Sequence, residues 1–394
     1  MESLRAAVLF GADAVYLAGK TYGMRQGAAN FSGEELSEAV SFAHAAGIKV
    51  YLTCNTLPHS NEIDRLPEFV KTAANTGVDA FILSDLGVLE VVKKHAPKVD
   101  IHASVQSGIV NYAAARMLHS MGASRVILAR ELTLEEIAYI RVKTPPELTL
   151  ETFVHGAVCV SHSARCLLSD YLTGRDANRG ECAQPCRWKY RLVEETRPGL
   201  YFPVNEDADG CYIMNANDLN MIRHIPELAA AGIGSFKIEG RAKSAYYTAV
   251  TAASYRRAID HFSGVYENRT LPKWVCQELD KISHRPYSTG FYFGRPHGQQ
   301  TPETGGYIRK YQVAAVAEGY EEGALLVTQR NRFFPGSELD VLAPGMEPEI
   351  ITAGKLFDET GAELETANRP MQKIRIQGAK PFPPGSLLRI KVYN

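Results

Sequence analysis

The sequence predicts an α/β protein built on a TIM-like (β/α)8 barrel, complete or lacking its first strand, with a cysteine-rich insertion and a small C-terminal all-β barrel domain. Three observations carry this reading. From residue 5 to about 157, amphipathic helical stretches alternate with β-rich runs of four to eight residues, the grammar of a parallel sheet with right-handed crossovers. A cysteine-dense stretch interrupts the alternation, which then resumes for one more unit. From about residue 300 the pattern changes to short strands between Gly and Pro turns.

Taken in order, SLRAAVLFGA leads into AVYLA (Ala14–Ala18), and GEELSEAVSFAHAAG into IKVYLTCN (Ile48–Asn55). The unit recurs before AFILSD (Ala80–Asp85), DIHASVQ (Asp100–Gln106), RVILARE (Arg125–Glu131) and LTLETFVHG, which ends at Gly156. After the cysteine stretch, NDLNMIRHIPELAAAG leads into SFKIEGR (Ser235–Arg241). These are seven strands, and the chain opens inside a helix, so the simplest completion of an eight-stranded barrel is a first strand upstream of Met1. A doubly wound open sheet is the alternative, but no strand is followed by a glycine-rich dinucleotide loop. SAYYTAVTAASYRRAIDHF is expected as an outer helix with an aromatic stripe. The resulting division is a barrel over 1–265 including an insertion at 158–217, a helical linker at 266–299, and the β domain at 300–394.

Composition sets the limits. Apolar content of 45% and charged content of 22% are those of an ordinary globular chain. A formal net charge of -1 supplies no global field for nucleic acid, so any RNA must meet a local basic patch. No run of about eighteen apolar residues and no signal-like N-terminus is present. The expected compartment is the cytoplasm with no membrane contact, where clustered thiols hold metal more often than they form disulfides.

Four of the seven cysteines, Cys159, Cys166, Cys182 and Cys186, fall within 28 residues, separated by six, fifteen and three residues. Four thiolates so spaced can encircle one metal centre. Structural zinc favours tight C-x2-C knuckles, which are absent here, so the spacing favours a [4Fe-4S] cluster over zinc or unligated thiols. Cys54, in a strand, and Cys276, in the linker, read as small buried apolar residues; Cys211 lies in an irregular region and is left out of the ligand set.

Strand alternation groups His102, Ser104 and Gln106; Lys237, Glu239 and Arg241; and Glu151, Phe153 and His155. Barrel active sites are built at the C-terminal ends of strands, so these trios suggest a site roofed by the insertion. His102, His155 and Glu239 are the candidate proton-transfer groups, and Arg25, Gln106, Lys237 and Arg241 the candidate ligand-binding groups. The opposing reading is that the three charges of the last strand pair with one another and His155 is a core histidine. Arg25 lies on an early loop in which Ser32 and Glu35 form a helix-capping pair. Between His155 and Arg191, Arg165, Arg175, Arg179, Arg187, Lys189 and Arg191 stand among Tyr171, Trp188 and Tyr190, opposed by Asp170, Asp176 and Glu181. That mixture suits RNA phosphates and splayed bases, as well as a solvated loop.

Glu151-Thr152-Phe153, Gly156-Ala157-Val158-Cys159 and Cys166-Leu167-Leu168-Ser169, with KIEGR at Lys237–Arg241, resemble the collagenase-like peptidases of unknown catalytic type over nearly the whole chain. One departure is Ala164, where that pattern has glycine. The chain carries no H-E-x-x-H helix, and its clustered thiols read as ligands, which sets proteolysis behind other activities. FVHGAVC, RDANRGECAQPCRW and IEGRAKSAYY resemble the tRNA-hydroxylating branch of that family. The resemblance implies iron-sulfur-dependent formation of 5-hydroxyuridine at the wobble position of tRNA, with prephenate as co-substrate. Peptidase activity, or a role as one of two homologous subunits in a hydroxylation complex such as that of oxygen-independent ubiquinone hydroxylation, are the alternatives it implies.

Overall fold

The computed structural model describes residues 1–25, 30–159, 161–188, 206–207, 210–211, 216–266, 270–294 and 307–392. Lys189, Tyr190 and Arg191 of the basic stretch therefore lie outside the described residues, as does the side chain of Cys211. Two compact units emerge: Asp13–Ala242 with Arg285–Gly306, and Met1–Ala12 with Lys243–His284 and Tyr307–Asn394. The division passes through the span that the sequence grammar groups as barrel.

Helix α1 (Glu2–Leu9) opens the chain and belongs to the second of these units. In the first unit, strands β1 (Ala14–Ala18), β2 (Lys49–Cys54), β3 (Ala80–Leu83), β4 (Asp100–Ala103), β5 (Ala123–Ile127) and β6 (Thr149–Ala157) pair in chain order, all parallel. The insertion contains the two-residue strands β7 (Glu206–Asp207) and β8 (Gly210–Cys211). Strand β9 (Asp218–Asn220) runs antiparallel along the end of β6, β10 (Ser235–Ile238) lies parallel to β6, and β11 (Tyr287–Ser288) pairs with β9. Strands β1–β6 with β10 are the seven parallel strands that the sequence marks out.

Intervening helices are α2 (Gly33–Ala45), α3 (Ser60–Ile63), α4 (Leu66–Asn75), α5 (Leu86–His95), α6 (Tyr112–Ser120), α7 (Leu134–Lys143), α8 (Leu168–Thr173) and α9 (Ile225–Ala230). Their starts are encoded locally. Ser32 with Glu35 and Thr133 with Glu136 form reciprocal capping boxes, and Asp85 and Asn111 cap α5 and α6, satisfying amides that have no partner within a helix. Helices on one side and a filled interior on the other bury both faces of the strands, which is why β3 reads Ala-Phe-Ile-Leu with every residue buried.

The sheet curls until its outer parallel strands face each other. Tyr16 of β1 donates to Glu239, just past β10, at 3.3 Å, and the Lys237 ammonium lies 4.3 Å from the Tyr16 ring centroid. Among the described residues no ladder joins β10 to β1; side chains bridge the seam at which the sequence reading sets its additional strand.

In the second unit, α1 packs along α10 (Ala245–Phe262), which is followed by α11 (Lys273–Leu279). Eight antiparallel strands complete it: β12 (Tyr311–Glu321), β13 (Ala324–Gln329), β14 (Glu338–Leu342), β15 (Glu349–Thr352), β16 (Leu356–Phe357), β17 (Glu363–Leu364), β18 (Lys373–Gln377) and β19 (Leu387–Lys391). Their core is Leu325, Val327, Phe333, Leu339, Val341, Leu356, Ile374, Ile376 and Leu388. A buried ion cluster lies in the same unit. Arg389 of β19, fully buried, pairs with Glu278 of α11 and Asp340 of β14, and Lys281 lies 2.5 Å from each of those carboxylates. Among the described residues no helix is long and apolar enough to cross a membrane.

Candidate active site at the barrel mouth

Two layers of polar side chains occupy the curled sheet. In the deeper layer, Glu151 of β6 accepts from Arg125 Nη1 (2.7 Å), Ser235 Oγ (2.8 Å) and Lys237 Nζ (2.9 Å). Parallel register makes this possible by setting Ser235 against Glu151 and Lys237 against Phe153. Burial alone raises the Glu151 pKa, but the charges of Lys237 and Arg125 and the hydrogen bonds from Lys237 and Ser235 bring it down to about 2. His102 of β4 lies edge-on to Tyr51 at 4.6 Å, and Arg125 stands 5.2 Å from that same ring. Burial, reinforced by the charge of Arg125, holds the His102 pKa at about 3, so the imidazole is neutral at pH 7.

The upper layer is centred on Glu239. It accepts from Tyr16 Oη at 3.3 Å and from the Arg241 amide at 3.2 Å, and lies 3.5 Å from Arg25 Nη2. Arg241 reaches Thr53 Oγ1 at 3.3 Å and the Arg25 carbonyl at 3.4 Å. Arg130 donates to the Ala157 carbonyl at 3.1 Å and stacks its guanidinium 3.9 Å from the Phe153 ring centroid. Burial pushes the Glu239 pKa up, yet Arg25, Arg130 and Arg241 together hold it below the ordinary carboxylate value. Burial and then the Glu239 charge raise the Tyr16 phenol.

The expected strand faces hold only in part. Lys237 pairs with Glu151 of β6 and Glu239 with Arg25 of the early loop, so these two charges find partners outside the last strand, in two layers, while Glu239 and Arg241 also act on each other. Strand β4 stops at Ala103, and Ser104 caps a short 3-10 turn, Val105–Ser107, which carries Gln106 off the strand face of His102. Gln106 accepts from Asn55 Nδ2 at 2.8 Å, and its carbonyl accepts from Arg165 Nε at 2.6 Å. A register shift between β6 and β10 skips Val154, and the His155 ring packs against Tyr287 of β11 at 5.4 Å. The bulge ends the regular alternation at Phe153.

The insertion is fastened above this mouth by specific contacts. Asn178 exchanges hydrogen bonds with the Cys166 backbone (3.2 and 3.1 Å), its carbonyl accepts from the Leu57 amide, and Glu131 accepts from the Ser163 amide and hydroxyl. Arg179 grips Glu62 with both terminal nitrogens, at 2.6 and 2.9 Å. Ser163 and Ala164 are both left-handed, with φ of +47° and +65°. The position at which the resembled pattern has glycine is thus one where glycine is free of strain.

Cys159, Cys166, Cys182 and Cys186 are free thiols. Burial raises the Cys186 pKa, and the charges of Cys159, Cys182 and Cys166 raise it further, so the four lie within electrostatic reach of one another. Among the described residues no three His, Cys, Asp or Glu side chains converge as around a single ion. The Leu168 amide donates to Cys166 Sγ at 3.3 Å and the Gln184 amide to Cys182 Sγ at 3.4 Å, donors of the kind that serve the sulfurs around a cluster. Arg25 feels the charges of Cys182 and Cys159, which links the thiols to the Glu239 layer. Four undisulfided thiols within electrostatic reach of one another, two of them accepting from backbone amides, are a donor set of the chemistry that a multi-iron cluster takes. Cys54 is apart from them, buried in β2 with its thiol pushed up to about 12 by burial.

Tyr16 and Arg130 are the functional candidates absent from the sequence-derived set. Tyr16 sits inside the apolar run AVYLA, where its hydroxyl was the signal. Arg130 lies beyond the end of β5 at Ile127, where alternation no longer reports direction.

The described residues thus combine a TIM-like α/β barrel, charged side chains at its mouth and an insertion that carries four cysteines. The chain belongs to Peptidase family U32, whose profile matches residues 1–302, with the family's C-terminal domain matching residues 309–389. It is 36% identical over 393 residues to a Bacillus subtilis protein named tRNA hydroxylation protein P1, covering 99% of this chain and 92% of that one. A Methanocaldococcus jannaschii protein named an uncharacterized protease is 45% identical over 297 residues, covering 74% of this chain and 71% of that one. The 23S rRNA 5-hydroxycytidine C2501 synthase of Escherichia coli is 38% identical over 256 residues, covering 65% of this chain but 37% of the synthase.

Proposed function

We propose that this protein is an RNA-modifying enzyme that hydroxylates the wobble uridine of tRNA to 5-hydroxyuridine in the cytoplasm, with a [4Fe-4S] cluster on Cys159, Cys166, Cys182 and Cys186 and prephenate as co-substrate. What supports the reading is four free thiols within electrostatic reach of one another, two of them also of Arg25 beside Glu239, in a chain that aligns over 99% of its length with a relative named for tRNA hydroxylation. Replacing C5–H by C5–OH with water as the oxygen source releases two protons and two electrons, so the reaction requires an external two-electron acceptor. The cluster, when bound, supplies one-electron transfer.

The chain's own residues bind and move protons. Arg25, Lys237, Arg241 and Gln106 form the polar wall around the reacting end. Glu239, ionised and in contact with Tyr16, is the best placed proton acceptor, with His102 and His155 behind it; His102 is a weak base at its depressed pKa. The exposed Tyr171 and Trp188, with Arg175 and Arg187 nearby in sequence, suit bases splayed from an anticodon loop. A second homologous subunit would show itself by co-purifying. Peptidase chemistry finds less support, because the buried Cys54 thiol is not ionised at neutral pH.

The test is anaerobic purification of the full chain followed by iron and sulfide assay, and complementation of a bacterial strain lacking tRNA hydroxylation. About four irons per chain and restored 5-hydroxyuridine are expected, both lost in Cys159→Ala and Cys182→Ala. A cluster-loaded protein that leaves 5-hydroxyuridine absent from the tRNA overturns the proposal.

A further inference from the structure

Charge is segregated between the two ends of the C-terminal β domain. Strands β19, β12, β13 and β18 are neighbours in that order, and their antiparallel registers set Lys391 against Tyr311, Ala315 against Gln329 and Thr328 against Lys373. The end of β19, the start of β12, the end of β13 and the start of β18 therefore share one rim. At or beside those strand ends stand Lys391, Lys310, Arg330 and Lys373. Two loops add Arg332 and Arg369, because Phe333 and Ala367 exchange backbone hydrogen bonds at 3.2 and 2.9 Å and fasten the loops together. The opposite end, at the β12–β13 turn, carries Glu321 and Glu322.

Among the described residues only Arg330 of these six cations has an ion pair, 3.4 Å from the exposed Glu2. The other five are exposed, and Glu338, which starts the neighbouring strand β14 on the same side, pairs with none of them. In a chain of formal net charge -1, such a rim is a local segregation and not a reflection of composition. Like charges gathered at one edge repel one another and add nothing to folding, whereas a phosphate backbone that meets them releases its condensed counterions. Phe334 is 46% exposed, with the Arg332 guanidinium 5.5 Å from its ring centroid. An exposed ring beside a guanidinium offers a stacking platform to an unpaired base, which an acidic protein surface would not use.

We propose that this rim is an RNA-binding surface of the C-terminal unit, with Lys310, Lys373 and Lys391 on backbone phosphates and Phe334 against an unpaired base. It rests on the RNA-modifying reading for the identity of the polyanion, and adds a contact beyond the barrel mouth and the cysteine-rich insertion. The experiment measures binding of the full chain to tRNA and to an unrelated RNA stem-loop by fluorescence anisotropy at several salt concentrations. Wild type is compared with the triple variant Lys310→Gln, Lys373→Gln, Lys391→Gln and with Phe334→Ala. All of these positions are exposed, and melting profiles control for folding.

The triple variant is expected to bind both RNAs at least tenfold more weakly, with the slope of log affinity against log salt reduced by about two. Phe334→Ala is expected to lose about fivefold in affinity with its salt slope unchanged. Wild-type affinity and slope in the folded triple variant overturn the inference and leave the RNA-modifying reading intact, since 5-hydroxyuridine in cellular tRNA reports that reading separately. Wild type that binds neither RNA also overturns it. Displacement of RNA by poly-glutamate at equal charge, with Phe334→Ala binding like wild type, overturns it in favour of an acidic protein partner.

Discussion

Two ion clusters in this protein, one buried and one half-buried, obey opposite rules. In the C-terminal unit, Arg389 and Lys281 face Glu278 and Asp340, two charges against two. At the barrel mouth, Arg25, Arg130 and Arg241 act on one carboxylate, Glu239, and Arg25 also feels Cys182 and Cys159. The first cluster is complete without any other molecule, as expected of ions kept for architecture. The second leaves charge and donors unspent, which folding by itself does not reward. The comparison separates two kinds of charge network: a closed, buried balance that holds architecture together, and an open, half-buried one that, among the described residues, leaves donors free at the barrel mouth.

The sharpest way to break that comparison is to remove one charge from each cluster. Arg389→Met leaves Glu278 and Asp340 short of a partner and is expected to cost about 3–5 kcal/mol in urea unfolding. Arg130→Gln, which removes an excess charge, is expected to stay within about 1 kcal/mol of wild type. Equal losses in the two variants would refute the distinction.

The next largest effect lies in the deeper barrel layer. The folded pKa of His102, about 3, is below its unfolded value, so the unfolded chain takes up the proton first as pH falls. Stability from this group is present above about pH 6.5 and is lost progressively toward pH 3. At about pH 4.5 the loss is about 2–3 kcal/mol. Glu151, with a folded pKa of about 2, adds its own loss only below the usual carboxylate range. His102→Gln should therefore flatten the decline between about pH 6.5 and 4.5; an unchanged slope would mean that His102 does not titrate as its burial dictates.

The smallest effect concerns the insertion. Ala164→Gly relieves a left-handed alanine beside the thiols and should stabilise the protein by about 0.5–1 kcal/mol, read as a rise in melting temperature. A fall would mean that the unfolded-state entropy of glycine outweighs the strain.

Much of the fold is legible in the sequence because it depends on neighbours along the chain. The capping pairs Ser32–Glu35 and Thr133–Glu136, the apolar strand runs and the change of grammar before β12 all report local geometry. The candidate site is legible only in outline. Strand alternation correctly brings Glu151 and Lys237 inward, but it fails at Ala103, where Ser104 starts a 3-10 turn, and at Val154, where the bulge redirects His155.

Spacing and periodicity alone specify the seven parallel strands, the all-β C-terminal region and the clustering of four cysteines, since each is a property of residues near one another in the chain. Which charge meets which is settled by the curl of the sheet. It brings Tyr16 to Glu239, 223 residues apart, commits Lys237 to Glu151, and adds Arg130 to a mouth that no local pattern assigns to it. Electrostatic partnership depends on distance through space, and only the closed arrangement of strands defines that distance.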